Sequence, residues 1–552
     1  HEQSIGKGLK LINGQITMAH PGSLENDPAL ALRLYIEALE REVPVYPFAR
    51  NVLARAASLP AFGEKLRASE EASHLFIRLC MHVPRTQFKG GSVLRELHDV
   101  GLLLAMVPEF APVVGRVHHD VYHVYTVDIH SILAVDRLRA LTRGELAGPH
   151  PLASRLAAEI ARPQVLFLSA LLHDIGKDIG GTNHSIRGAT LAVQVAERLA
   201  MVPADVDEIR YLVRRHLSMY HVATRRDVDD PSTLAEFAQE VRGHEGLKEL
   251  YLLTIADVST TSPTALTSWK ARMLEELYVA TERWLAEGSS PEDESVSSAS
   301  HQVLELLADD EQRWFAHEFL AAMPERYIYA NTPETISRHA ALARQALRQR
   351  VLVACLATDG SHLELAFVAE DRPGLLAMIT ATLAASNVSV VGAQVYSWLG
   401  PDEKTRAFDV FWVAAGGKAS SVDRLVRRLE HELEQLLDGE VEAAALVAAR
   451  HGAGRWLERP TPAVHTQISV DNRAARSSTV LEVTTQDAPG LLFRLANTLQ
   501  LSGLRISLAK INTEGTLVAD VFYVTDENGA KLTDPARVES LKQGILAALD
   551  GK

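Results

Sequence analysis

The sequence predicts a multidomain chain in which an all-α region is followed by two α+β modules of βαββαβ pattern. Three observations carry that expectation. Apolar residues recur at helical spacing from Asp27 to about Leu347. Beyond that point the pattern changes to short alternating runs punctuated by turns. The text Asp-x-Pro-Gly-Leu-Leu then occurs twice, at Asp371–Leu376 and Asp487–Leu492, as an internal repeat.

Taken in order, the chain opens at His1, in a stretch that reads as strand–turn–strand over Leu9–Thr17. Residues 1–23 are expected to be the remnant of a larger N-terminal region, and 24–115 a helical connecting region broken at Pro60, Gly63 and Gly90-Gly91. Residues 116–347 form the predicted helical domain, with the polar, acidic stretch Gly288–Ser298 as a mobile loop inside it. The first α+β module spans 362–450. Its strands are His362–Ala369, Asn387–Val391 and Phe408–Val413, with a turn at Asp371–Gly374 and a helix over Leu375–Ala385. The second spans 478–552, with strands Thr479–Thr484, Leu504–Leu508 and Asp520–Thr525 and a helix over Leu491–Leu501. Gly452-Ala-Gly454 and Pro460-Thr-Pro462 mark the linker between them.

Composition narrows the function classes. A chain of 552 residues is too long for one core. A net charge of −14 argues against general nucleic-acid binding by phosphate neutralisation. Cys80 and Cys355 lie far apart without CxxC spacing, so they provide no zinc or disulfide framework and favour a reducing compartment. No apolar run approaches the ~20 residues of a membrane span, and no secretory signal is expected. A cytoplasmic protein is expected, without membrane or nucleic-acid partners.

The chemistry concentrates in the helical domain. His173 and Asp174 end the apolar run that starts at Phe167, and His130, His184, His216 and Asp257 lie at long intervals around them. Asp257 closes the run Leu252-Leu-Thr-Ile-Ala256, an expensive placement for a carboxylate unless it is paired or coordinating. Imidazoles and carboxylates gathered from several helices can hold one or two divalent metals, and such sites activate water for attack on phosphate esters. The other histidines, including His74, His98, His118, His119, His123 and His221, lack this context.

This ordered set resembles the HD metal-dependent phosphohydrolase superfamily. The flanking text is more specific: Tyr125–His130, Ala170–Lys177, Arg225-Arg-Asp227 and Leu252–Asp257 through Ser268-Trp-Lys270 resemble the bifunctional PII uridylyltransferase/uridylyl-removing family. The doubled Asp-x-Pro-Gly-Leu-Leu units resemble that family's tandem ACT domains.

The resemblance implies a phosphodiesterase that removes UMP from a uridylylated tyrosine of the PII nitrogen-signalling protein, using Mg2+ or Mn2+. His130, His173, Asp174 and Asp257 would hold one metal, and His184 and His216 would add a second. Lys177, one turn after the pair, is placed to bind a phosphate oxygen. Arg225 and Arg226 would grip the UMP phosphate or an acidic patch on PII. In each ACT unit the turn presents backbone amides at a helix start, suited to a ligand carboxylate, while its aspartate receives an ammonium group. The implied effector is glutamine, bound by Asp371, Gly374 and Leu375 in one copy and by Asp487, Gly490 and Leu491 in the other.

The family's nucleotidyltransferase signature, a Gly-Ser followed by Asp-x-Asp, has no match here. Gly91-Ser92 is followed only by Asp99, in a stretch that reads as helix, and neither Asp205-Val-Asp207 nor Asp227-Val-Asp229 follows a Gly-Ser pair at suitable spacing. This chain alone is therefore not expected to transfer UMP. The competing readings are an HD-type guanosine tetraphosphate hydrolase with ACT regulation and a non-catalytic amino-acid sensor.

Overall fold

A computed structural model of the chain describes residues 2–85, 88, 91–116, 124–178, 183–228, 230–262, 265–287, 294–324, 327–328, 331–358, 362–414, 419–451, 465–514 and 517–550. His118, His119, His123 and both linker motifs fall outside these residues. The chain divides into two compact units, His1–Tyr220 with Val241–Leu274, and His221–Glu240 with Glu275–Lys552. This division cuts across the segment 116–347 that the sequence reads as one domain.

The first unit begins with a three-stranded antiparallel sheet, Glu2–Gly6, Leu9–Ile12 and Gln15–Met18, and its remaining named elements, among the described residues, are helices. At its centre lies the helix Pro163–Leu172, in which every residue from Val165 to Leu172 is buried. A helix apolar on all sides can only be a core helix. Proline opens both this helix and Pro203–Arg215, where its missing N–H costs nothing. The helices Val127–Thr142 and Pro203–Arg215 pack against it, and Gly243–Thr261 packs along Val127–Thr142. Ser92 caps the helix Val93–Asp99 by accepting the Arg95 amide at 3.3 Å, so the Gly-Ser pair introduces a helix.

In the second unit the two modules share one topology. The first sheet runs Val351–Thr358, His362–Glu370, Thr405–Ala414, Ser389–Gln394, and the second Gln467–Asp471, Thr479–Gln486, Leu517–Asp526, Leu504–Lys510. All neighbours are antiparallel. Each module is thus ββαββα, differing from the βαββαβ order expected: the edge strand enters from upstream rather than closing the unit from downstream. Val351–Thr358 is nearly continuous in apolar character and Gln467–Asp471 is only 5 residues long, so neither shows a strand's alternation. The expected loop Gly288–Ser298 also differs, because the helix Glu294–Glu305 begins within it. The helices Leu375–Ala385 and Leu491–Leu501 pack together, and one apolar cluster including Phe367, Ile379, Leu383, Leu495 and Phe522 spans both modules.

The helix Ser218–Arg225 carries the chain from the first unit into the second, where His221–Glu240 is held by the second module. Lys510 Nζ donates to the carbonyls of Ala223 (2.8 Å) and Arg226, and the Tyr523 hydroxyl donates to the carbonyl of Arg225 at 3.0 Å. Arg225 pairs with Glu482 at 2.8 Å, and Asp230 accepts the Arg476 amide at 2.8 Å.

Candidate metal centre and paired pockets

The six histidines and aspartates singled out in the helical domain converge in the first unit. His130 comes from Val127–Thr142, His173 and Asp174 from the end of Pro163–Leu172, and Asp257 from Gly243–Thr261. His184 opens His184–Arg198, and His216 ends Pro203–Arg215. Their donor atoms form two groups, His130/His173/Asp257 and Asp174/His184/His216, each within 4.8 Å. Asp174 faces both: its Oδ2 lies 3.4 Å from His173 Nε2 and 3.7 Å from His130 Nε2, and its Oδ1 lies 3.7 Å from His216 Nε2 and 3.8 Å from His184 Nε2. The sequence places Asp174 with the first three, whereas the geometry sets it between the two groups.

The hydrogen bonding fits a cation. His130 Nδ1 lies 3.1 Å from the Thr260 carbonyl, His173 Nδ1 2.8 Å from that of Ala170, and His216 Nδ1 2.7 Å from that of Val213. A carbonyl only accepts, so each Nδ1 carries a proton, and each ring, when neutral, turns a bare Nε2 inward. His130 and His173 then present two lone pairs to one another at 3.1 Å, beside Asp257 Oδ1 at 3.0 Å from His130. Asp174 Oδ1 is buried and makes no hydrogen bond. Lone pairs converging in a buried site are satisfied by a positive charge. The N/O donor set suits divalent cations of the Mg–Mn–Zn kind.

Without metal, a proton fills part of that role. Burial works to lower the pKa of His173, but Asp174 and Asp257 overcome it and raise it from 6.5 to about 10. His216 moves the other way, to about 4, through burial and then the charge on His173. Burial also opposes ionisation of Asp174, yet Lys177, at 2.7 Å, and His173 hold its carboxyl well below the usual range. Metal binding must therefore expel the His173 proton. The apparent affinity for Mn2+ is expected to rise about tenfold per pH unit between about pH 7 and 9, with release of about one proton, readable by calorimetry in buffers of different ionisation enthalpy. A pH-independent affinity would contradict this account.

Lys177 is thus engaged with Asp174. Arg225 and Arg226 are not among the six: they lie in the second unit, where Arg225 pairs with Glu482. One contact that positions the site was not anticipated. The turn Ile175–Asp178 lies so close to His184–Arg198 that a Cβ added to Gly176 would fall 2.1 Å from the His184 carbonyl oxygen and 2.5 Å from the Gly188 nitrogen. Glycine is required there to hold His184 beside Asp174.

The repeated turns each open onto a pocket. Gly374 (φ 86°) and Gly490 (φ 72°) adopt left-handed backbone immediately before the helices Leu375–Ala385 and Leu491–Leu501. Asp371, Gly374 and Leu375 line one pocket, and Asp487, Gly490 and Leu491 line the other. Each also contains a buried aspartate that was not singled out, Asp409 and Asp520, both 1% exposed. Asp409 accepts the Tyr396 amide and Asp520 that of Asn512. Burial pushes both carboxyls well above the usual range. The signal was available, because Asp-Val-Phe recurs at Asp409–Phe411 and Asp520–Phe522.

Fold and site together define an HD-domain protein carrying paired ACT modules. The model for the HD domain matches residues 150–261, and that described as the ACR family N-terminal ACT domain matches residues 474–551. Along almost its whole length the chain is similar to the bifunctional uridylyltransferase/uridylyl-removing enzymes. It is 33% identical to that of Azospirillum brasilense over 95% of this chain and 56% of the relative. It is 32% identical to the Gluconobacter oxydans enzyme over 98% and 57%, and 33% to a Caulobacter vibrioides enzyme over 97% and 56%. The chain thus spans little more than half the length of these relatives. The family expected from the motifs is the one these comparisons return, and the HD domain marks the chain as a hydrolase. Among the described residues no helix is long and apolar enough to cross a membrane.

Proposed function

We propose that this chain hydrolyses the phosphodiester between UMP and a tyrosine of the PII signalling protein, under control of glutamine at the ACT modules. The observation that carries the reading is Asp174, set between two groups of buried imidazole and carboxylate donors. Bound Mg2+ or Mn2+ would supply Lewis acidity toward the phosphoryl oxygens and an attacking water at neutral pH.

The chain's own groups prepare that event. The carbonyls of Ala170, Val213 and Thr260 fix the ring orientations, so little reorganisation accompanies ion or substrate binding. Lys177 keeps Asp174 ionised. The departing tyrosine has a parent pKa of about 10, so its phenolate leaves without a strong general acid. Arg225 and Arg226 are proposed to contact the UMP phosphate or an acidic surface of PII.

The test follows the mass of uridylylated PII with this chain, manganese or magnesium, and graded glutamine. Loss of one UMP per PII subunit, faster with glutamine, is expected. Unchanged mass with metal bound would shift the assignment to guanosine tetraphosphate; unchanged mass without metal would leave an amino-acid sensor.

A further inference from the structure

The repeat makes the two ACT pockets comparable position by position, and they are not equal. Gln500 lies ten residues after Gly490, as Ala384 lies ten after Gly374. Because the two helices pack together, each residue reaches the other module's pocket: Ala384 lines the one at Gly490, and Gln500 the one at Gly374. A Cβ placed on Gly374 would fall 2.3 Å from Gln500 Nε2, 2.5 Å from Cδ and 2.6 Å from Oε1. The Gln500 carboxamide therefore lies flat on the turn that starts Leu375–Ala385. At the equivalent position of the repeat, the lining of the other pocket has Ala384, which carries no carboxamide.

A second difference runs the same way. Ser397 and Thr513 each begin the short extra strand of their module, Ser397–Leu399 and Thr513–Glu514. Ser397 Oγ donates to Asp371 Oδ2 at 2.7 Å, whereas Thr513 Oγ1 donates to the Val390 carbonyl at 3.4 Å. In the first pocket both the turn and its aspartate are engaged from within the chain. In the second, Asp487 receives no such hydroxyl from Thr513.

We propose that Gln500 is an internal occupant of the first pocket, so that an amino-acid effector fills the pocket at Gly490 first. This rests on the reading of both turns as effector sites. The pocket at Gly374 is the larger, about 490 against 280 Å3, so the carboxamide covers the turn without filling the cleft. An effector reaches the backbone amides there only by displacing Gln500, and the fraction of time the turn stands uncovered scales its affinity. The Gly490 pocket needs no such displacement.

The experiment is titration calorimetry of L-glutamine into the full chain, into Gln500→Ala and into Ala384→Gln. The wild type is expected to show one tight site, with a second weaker by about tenfold or more. Gln500→Ala is expected to bring the weak site to within a few-fold of the tight one. Ala384→Gln, which places a second carboxamide over the Gly490 turn, is expected to weaken the tight site by a comparable factor. Two equal sites in the wild type, or no change in Gln500→Ala, would overturn the inequality and leave the effector reading standing. Absence of binding in all three proteins would remove the effector reading, and this inference with it.

Discussion

Asp174→Asn is expected to lower the proposed hydrolysis of the uridylyl bond by at least about 10^3-fold while leaving the chain folded. The substitution keeps the shape of a side chain that is 1% exposed, so packing is preserved. It removes the charge that both donor groups face and puts an amide N–H2 among imidazole nitrogens that need a cation. Two measurements separate this from general damage. The content of divalent metal should fall, and the His173 imidazole of the metal-free protein should titrate well below about 10, because Asp174 is the largest of the influences raising it. Retained turnover and metal content would remove Asp174 from the site.

Gly176→Ala should be nearly as severe for a different reason. Its Cβ would meet backbone rather than a yielding side chain: the His184 oxygen at 2.1 Å, then Gly188 nitrogen at 2.5 Å and Cα at 2.9 Å. The turn and helix must separate, at a stability cost of about 1–3 kcal/mol. That separation pulls His184 from Asp174, and a misplacement of about 1 Å can cost about 10^2-fold in rate. Gly188→Ala provides the graded control, since its Cβ would meet Gly176 nitrogen at 3.3 Å and Val213 Cγ1 at 3.4 Å. A Gly176→Ala protein with wild-type metal content and melting temperature would show that the close approach is dispensable.

Much of this was legible in the sequence, because each informative residue violates its local pattern. Asp257 ends an apolar run, His173-Asp174 ends another, and the paired Pro-Gly turns interrupt an otherwise regular alternation. What stayed hidden depends on partners distant in the chain. The carbonyls that orient the rings have no side-chain signature, and Gly176 resembles any glycine until the helix of His184 is laid against it. The edge strands Val351–Thr358 and Gln467–Asp471 were obscured because their pairing, not their composition, makes them strands. Asp409 and Asp520 are the exception, since the repeat displayed them and only their burial revealed their importance.

The segment His221–Glu240 has a consequence for inheritance. It lies in the chain between His216 and Asp257 but belongs to the unit built around the ACT modules, where Lys510, Tyr523 and Glu482 hold it. Neither unit is a continuous stretch of sequence. A single genetic crossover within the chain that exchanged the ACT modules for another protein's would also have to supply a matching berth for this insert, or leave its backbone carbonyls unpaired. Recombination can reshuffle domains strung end to end. Here the two units alternate along the sequence, and they are expected to descend together.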